Sequence, residues 1–437
     1  MPLIGRRRFV AGAALGAFAA GDGGSAGAAG AEGAARAAAE PGAPPVAAPG
    51  ARSAGSGRSG GRSRAAGFRG MWISTVFGRD FPSRTGLTAA AQRAELIALL
   101  DLAAERRMTA VMLQVRPTAD ALWPSPYEPW SEWLTGVQGG DPGWDPLGTA
   151  VTEAHARGLE LHAWCNPYRV ATHADRTRLA PSHPVRLHPD WALTHGGKLY
   201  YDPGRPDVRR HVQDAMLDAV RRYDVDALHW DDYFYPAPAG GQAFPDDESF
   251  RRYGAGFTDR AAWRRNNVDL LVSETSARIK QLKPHVAFGI SPFGVWRNAS
   301  VDPLGSDTRA VASYDDHHAD SRTWVRERWV DYLVPQLYWN IGYGPADYAK
   351  LVPWWDAVVR DTGVRLYLGE ALYKVGDPAQ PAAWQDPQEL VRHVRLAREH
   401  SGVGGHCYFA AAEVAEDPLG ALTAVLADDA PRRSDGA

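Results

Sequence analysis

Apolar positions along the chain fall into two alternating rhythms. Short runs rich in β-branched and aromatic residues stay apolar at nearly every position, and between them lie stretches whose apolar residues recur every three or four. The short runs are "GFRGMWISTV", "AVMLQVRP", "LELHAWCNPYR", "ALHWDDYFYP", "VAFGISPFGVW", "YLVPQLYWN", "RLYLGEALYK" and "GHCYFAA". A strand with one wet face alternates apolar and polar residues; near-continuous apolarity is the pattern of strands covered on both faces. Successive runs are separated by roughly 30 to 70 residues, room for the helical crossover that each parallel step needs.

The longer stretches carry helix punctuation. In "WDPLGTAVTEAHARG", Asp145 reads as the N-cap, Pro146 as the first turn and Gly158 as the stop. "PDVRRHVQDAMLDAVRRY" places Val208, Val212, Ala215 and Ala219 on one face, and "AELIALLDLAAERR" is patterned the same way. Eight strand–helix alternations without a long break predict an α/β protein of the (β/α)8 TIM-barrel type rather than an open doubly wound sheet. The glycine-rich phosphate turns of a dinucleotide fold are missing from the sequence. The barrel is expected over 67–426, followed by a disordered tail over 427–437.

The N-terminus follows neither rhythm. "GRRRFVAGAALGAFAAG" pairs Arg6 with Arg7 ahead of a short, weakly apolar run, too short to span a membrane. Residues 1–23 read as a twin-arginine export signal, with a basic disordered tail as the plainer alternative. Residues 24–66 are almost wholly Ala, Gly, Ser, Pro and Arg, the composition of a disordered linker. With no cysteine near the signal, no membrane anchor is expected once the signal is removed. Cys165 and Cys407 both sit in apolar strand runs and read as separate buried thiols.

Charge adds little. The chain carries a formal −3, with a basic first 66 residues and an acidic remainder, so nothing points to nucleic acid. Sixteen Trp and sixteen Tyr are many, and flat rings stack on sugar faces as well as filling cores.

In a barrel of this kind the reactive face lies at the C-terminal ends of the strands, and polar residues collect there. The second strand ends in Gln114 and Arg116, with Asp120 beyond; the third in Trp164, Asn166, Tyr168 and Arg169; the fourth in His229, Asp231, Asp232 and Tyr233. The fifth supplies Ser291, Trp296, Arg297 and Asn298, the sixth Gln336, Tyr338, Trp339 and Asn340, and the seventh Glu370, Tyr373 and Lys374. Alternation sharpens the fourth: if Trp230 packs outward, His229 and Asp231 point into the barrel and Asp232 sits at its rim. The plainer account of the pair is salt bridging or capping. Two carboxyls among aromatic residues at a barrel mouth is instead the arrangement that hydrolyses glycosidic bonds.

The stretches "FRGMWISTV", "QVRPTADALWPSPYEPWSEWLTGVQGGDPGWDPL", "AHARGLELHAWCNPYR", "HWDDYFYP", "WRRNNV", "FGISPFGVWRN" and "DYLVPQLYW" resemble the bacterial glycosyl hydrolase-like family ten from residue 68 to about 410. Trp230 stands where that family is expected to have Phe. The resemblance implies an exported barrel enzyme acting on glycosidic bonds, with bacterial cell-wall glycan as the leading substrate. It places Asp231 and Asp232 on the family's acidic fourth-strand motif. Arg116, Asn166, Tyr168, Arg169, Trp296, Arg297 and Gln336 become candidate sugar contacts, joined by Trp164, His229, Tyr233, Tyr338 and Trp339 from their strand-end positions. The polysaccharide is the only partner expected, the chain is expected to work as a monomer, and no cofactor or metal is expected.

The chemistry so implied needs one carboxyl with a raised pKa to protonate the leaving oxygen. Asp231 is assigned that role. Glu370 is the candidate nucleophile, with an ordinary salt bridge as its plainer reading. Asp315 and Asp316 in "SYDDHHADS" are loop-borne alternatives that read more readily as helix caps. A third scheme uses the substrate's own 2-acetamido group, oriented by one Asp while its neighbour acts as acid. Two rival classes stay open: a metal-dependent polysaccharide deacetylase built on His229, Asp231, His317 and His318, and a non-catalytic glycan-binding barrel. His155 and His211 read as surface residues, and "WRRNNVDLL" as the solvated start of a helix.

Overall fold

Each of the eight apolar runs forms one stave of a closed, all-parallel barrel. The computed structural model describes residues 67–429; the expected export signal and linker lie outside them, as does most of the expected tail. The strands are β1 (Phe68–Ile73), β2 (Ala110–Arg116), β3 (Glu160–Cys165), β4 (Arg169–Ala171), β5 (Ala192–His195), β6 (Lys198–Tyr201), β7 (Ala227–Trp230), β8 (Ala287–Ile290), β9 (Tyr332–Leu333), β10 (Arg365–Glu370) and β11 (Val403–Tyr408). Around the barrel the order is β1-β11-β10-β9-β8-β7-β3-β2, while β4, β6 and β5 form a separate antiparallel sheet. The fold expected from the sequence is the fold observed.

Alternation splits every stave. Trp72, Met112, Trp164, Tyr332, Tyr367 and Cys407 pack together inside the barrel. The strand positions Met71, Leu113, Leu161, Leu228, Phe288, Leu333, Leu366 and Leu368 face the helices in the main core. Space inside is tight. A Cβ at Gly289 would lie 2.0 Å from the Tyr332 ring, so only glycine lets that ring cross the barrel. β9 is short because Pro335 has no N–H to give the ladder. Pairing nevertheless resumes at Gln336, which bridges Phe293 on one side and Gly369 on the other.

Helix punctuation works as the sequence implies. The Asp145 side chain accepts from the Gly148 N–H at the start of Pro146–Ala156, and Gly158 takes a φ of +70° just past its end. The helix Pro206–Arg222 buries Val208, Val212, Ala215 and Ala219. "WRRNNVDLL" behaves differently from expectation. It lies within the helix Arg260–Leu282 and buries Trp263, Arg264, Asn267 and Val268. The Arg264 guanidinium is held by Asp246 at 2.6 and 2.8 Å, which is what allows a cation at a buried position. Cys165 and Cys407 are both free and buried. The last helix, Ala421–Asp428, ends just past the expected barrel boundary.

Candidate active site

β7 delivers the acidic pair. Trp230 packs outward with its ring centroid 4.7 Å from that of Phe288, so His229 and Asp231 face inward as alternation requires. Asp231 is almost fully buried. Its Oδ2 accepts from Trp164 Nε1 at 3.0 Å and from Asn166 Nδ2 at 3.4 Å, while Oδ1 has no partner in the protein. Burial, and then the charge of Asp232, push its pKa up to about 7, against the opposing pull of Arg169 and the Trp164 hydrogen bond. Asp232 lies two residues past the strand end and is half-buried. Desolvation raises its pKa too, but His317, Gln336 and Arg169 favour its anion. Two such neighbours cannot both ionise freely, so burial and their mutual repulsion keep a proton on the pair toward neutral pH.

The surroundings fix this pair from three sides. The Arg169 N–H donates to Asn166 Oδ1 at 3.0 Å, and its guanidinium donates to the Pro117 carbonyl while lying 4.8 Å from the centre of the Tyr233 ring. Below lies a polar core. Trp72 Nε1 donates to His229 Nε2 at 3.3 Å, and an indole N–H can only donate, so that nitrogen is an acceptor. His229 is therefore neutral with its proton on Nδ1, facing the Tyr332 hydroxyl at 3.0 Å, and burial holds its pKa well below the ordinary value. Above, Gln336 Nε2 donates to the Ser291 carbonyl at 2.9 Å. Tyr338 lies edge-on to Tyr373, Trp339 lies edge-on to Phe293, and all but Phe293 are half-exposed.

Several expected site residues lie away from the acidic pair, Glu370 foremost. Gly369 faces the interior, where its Cβ would meet Trp72 and Gln336, so Glu370 faces out into the helical layer. There it is fully buried: Oε1 accepts from the Tyr348 hydroxyl at 2.7 Å and pairs with His406 Nδ1 at 2.8 Å, and Oε2 pairs with His393 Nδ1 at 2.8 Å. Burial alone would raise its pKa, but the His393 charge and the hydrogen bonds from His393 and His406 outweigh it and hold it at about 2. Three donors behind the barrel wall are the surroundings of a structural ion pair, the plainer of the two readings of Glu370.

Arg116 is likewise structural. It is fully buried and clamps Glu128 with two bonds of 2.6 Å, its remaining donors going to the carbonyls of Asn166 and Pro167. Tyr168 is fully buried in the outer core with its hydroxyl unpartnered. Trp296 is buried, donates to Asp320 at 2.8 Å and stacks on Trp354, away from the mouth. Arg297 is bound by Asp315 and Asp302, and Asp316 accepts from the Ala312 N–H, so both loop-borne aspartates are engaged within their own loop.

The structure adds residues that the sequence reading passed over. Trp72 roofs His229, and Phe409 lies 6.0 Å from Trp72 with the Arg79 guanidinium over its ring at 4.7 Å. His317 contributes to the mouth with its Nε2 unpartnered, but His318 turns the other way and bonds Arg264 at 3.2 Å. With His229 Nε2 also committed to Trp72, the four residues of the deacetylase alternative do not converge. Among the described residues no three His, Cys, Asp or Glu side chains are grouped to hold a metal ion.

Fold and site together define the class: a (β/α)8 barrel of glycoside-hydrolase type with an acidic pair at its mouth. The profile of the family described as glycosyl hydrolase-like 10 matches residues 67–386. Glycosyl hydrolase YngK of Bacillus subtilis (strain 168) is 47% identical over 363 residues, which cover 82% of this chain and 71% of that protein. Glycosyl hydrolase DigH of Escherichia coli (strain K12) is 42% identical over 328 residues, 71% of this chain and 74% of that one. This chain belongs to the glycosyl hydrolase-like 10 family. Among solved structures, the glycoside hydrolase domain of PgaB (BpsB) from Bordetella bronchiseptica superposes with a TM-score of 0.52 at 14% identity, covering 82% of this chain and 96% of that one. α-L-Fucosidase isoenzyme 2 from Paenibacillus thiaminolyticus gives 0.51 at 12% identity, covering 84% and 50%. At such identities the likeness is one of fold alone.

Proposed function

We propose that this protein is an exported glycoside hydrolase that cleaves glycosidic bonds in bacterial cell-wall glycan, with Asp231 as the general acid. One observation carries the reading: a carboxyl at the barrel mouth whose Oδ2 is fixed by Trp164 and Asn166, whose Oδ1 is free, and whose pKa is about 7. Such a group holds a proton at neutral pH and has an unengaged oxygen from which to give it to a leaving alkoxide. With Glu370 behind the wall, Asp232 is the partner carboxylate. Two adjacent residues do not straddle a sugar ring as acid and nucleophile usually do, and this favours the scheme in which the substrate's 2-acetamido oxygen attacks the anomeric carbon. Asp232 then orients that group and stabilises the positive charge developing on it. The aromatic residues Tyr233, Tyr338, Trp339 and Tyr373 supply stacking faces for the glycan. Paired arginines ahead of a short apolar run support export.

The test incubates the mature protein with peptide-free and peptide-bearing cell-wall glycans and analyses released sugars by mass spectrometry. Release of oligosaccharides from either glycan supports the reading. Binding without release would point instead to the glycan-binding barrel, and release of acetate alone would point to a deacetylase.

A further inference from the structure

The antiparallel sheet inserted after β3 is tied at two points to the loop that follows the acidic pair. Arg169 of β4 lies over the Tyr233 ring at 4.8 Å, and His195 at the end of β5 is 2.9 Å from the Ala237 carbonyl through Nε2. Tyr233 and Ala237 both belong to the segment running on from Asp232, so this sheet forms one wall of the mouth. Register decides which side chains the wall presents. Arg169 is directly opposite Tyr200 across the β4–β6 ladder, and Lys198 shares the Tyr200 face because it is two residues away. The opposite face carries Leu199 and Tyr201, both fully buried, with the Tyr201 hydroxyl on Glu128 at 3.3 Å.

Lys198 is half-buried, and among the described residues no carboxylate pairs with it. Its electrostatic neighbour is another cation: burial, and then Arg169, lower its pKa. The Arg169 guanidinium donates to a neutral carbonyl and lies over a ring; its charge acts on Asp231 and Asp232, but no carboxylate forms an ion pair with it among the described residues. Two cations brought together on one face, with no carboxylate bridging them, are repulsive in the free protein and become favourable when an anion is bound between them.

We infer that Lys198 and Arg169 form an anion subsite beside Asp231 and Asp232, one that selects glycans bearing a free carboxylate on a sugar. The inference rests on the glycoside-hydrolase reading for its substrate but not for its test. The chemistry fits either a lactyl-ether amino sugar or a uronic acid. A carboxylate whose amide linkage to a peptide has removed its charge would be rejected. Lys198 contributes charge and donors to a substituent remote from the broken bond, which makes it a specificity residue rather than a catalytic one.

Calorimetric binding to the intact protein tests this with three tetrasaccharides: one carrying muramic-acid lactyl carboxylates, the same after carboxyl reduction to alcohols, and one carrying glucuronate. Wild type is expected to bind at least one acidic tetrasaccharide at least tenfold more tightly than the reduced one. That preference should collapse in Lys198→Gln and return in Lys198→Arg. Which acidic ligand wins identifies the source of the carboxylate. A wild type without preference for acid, or a Lys198→Gln variant that keeps it, overturns the inference, as does a wild type that binds none of the three. Turnover measured on the same ligands separates the two claims: a carboxylate preference without hydrolysis leaves the subsite standing and sinks the hydrolase reading.

Discussion

Asp231 holds its proton at the expense of the fold. Its pKa is about 7 in the native protein against an ordinary 3.8, because burial and Asp232 disfavour its charge. Between those two values the unfolded chain is ionised while the native one is still protonated, so the native state binds more protons and stability falls as pH rises through the window. Asp231→Asn keeps an acceptor for Trp164 but removes the buried charge. It should therefore melt at a higher temperature than wild type at pH 8 and at nearly the same temperature at pH 4, measured by thermal unfolding. The same titration sets catalysis: kcat/KM on a glycan should decline as pH rises past about 7, where the acid loses its proton. The inward aim of Asp231 was legible because strand alternation can be counted from Trp230. The same counting, begun at the interior glycine Gly369, would have turned Glu370 outward. Arg116 was harder, since the β2–β3 register shifts between Gln114 and Arg116 and breaks simple alternation at that point.

At the scale of elements, Glu370 is what joins β10 to its helices. Tyr348 and His393 come from two helices of the outer layer, Tyr348–Val359 and Glu389–Ala397, and His406 comes from β11. Glu370→Gln removes the anion facing His406 and leaves His393 with Glu389 alone, and should cost about 3 kcal/mol, the order seen when one member of a buried ion pair is removed. Folded Glu370→Gln protein should keep most of its turnover per molecule, which an activity assay normalised to circular dichroism would show. Since the Glu370 pKa is depressed to about 2 from an ordinary 4.5, the stability it lends is present above pH 4.5 and lost as pH falls toward 2. Gly289→Ala tests the barrel interior directly. With Tyr332 in the way, it should destabilise by roughly 1–3 kcal/mol in urea titration, as overpacking does. The inserted sheet escaped the sequence reading although its signal was present. In "THGGKLYY", Gly196 and Gly197 both take positive φ, the two-residue turn of a tight hairpin, but short strands with few apolar residues resemble loop.

The whole barrel was readable because its eight strands are buried on both faces and because parallel strands require long crossovers, so the apolar runs and their spacing leave one closed arrangement. The site was only half readable. Position at a strand end brings a residue near the mouth, but side-chain partners decide whether it opens onto the mouth, and partners such as Glu128 for Arg116 or Asp320 for Trp296 lie in loops and helices with no fixed spacing. If hydrolysis rests on carboxyls alone, a chelator should leave glycan turnover unchanged; loss of turnover on chelation and its return with one added metal would revive a metal-dependent mechanism. The central claim is that the Asp231–Asp232 pair, and not Glu370, performs the chemistry. The most direct measurement is kcat/KM on peptide-free cell-wall glycan for wild type, Asp231→Asn, Asp232→Asn and Glu370→Gln, each verified as folded. A fall of about 10² or more is expected for each aspartate variant and less than tenfold for Glu370→Gln. Full activity in both aspartate variants, with loss in folded Glu370→Gln, would contradict it.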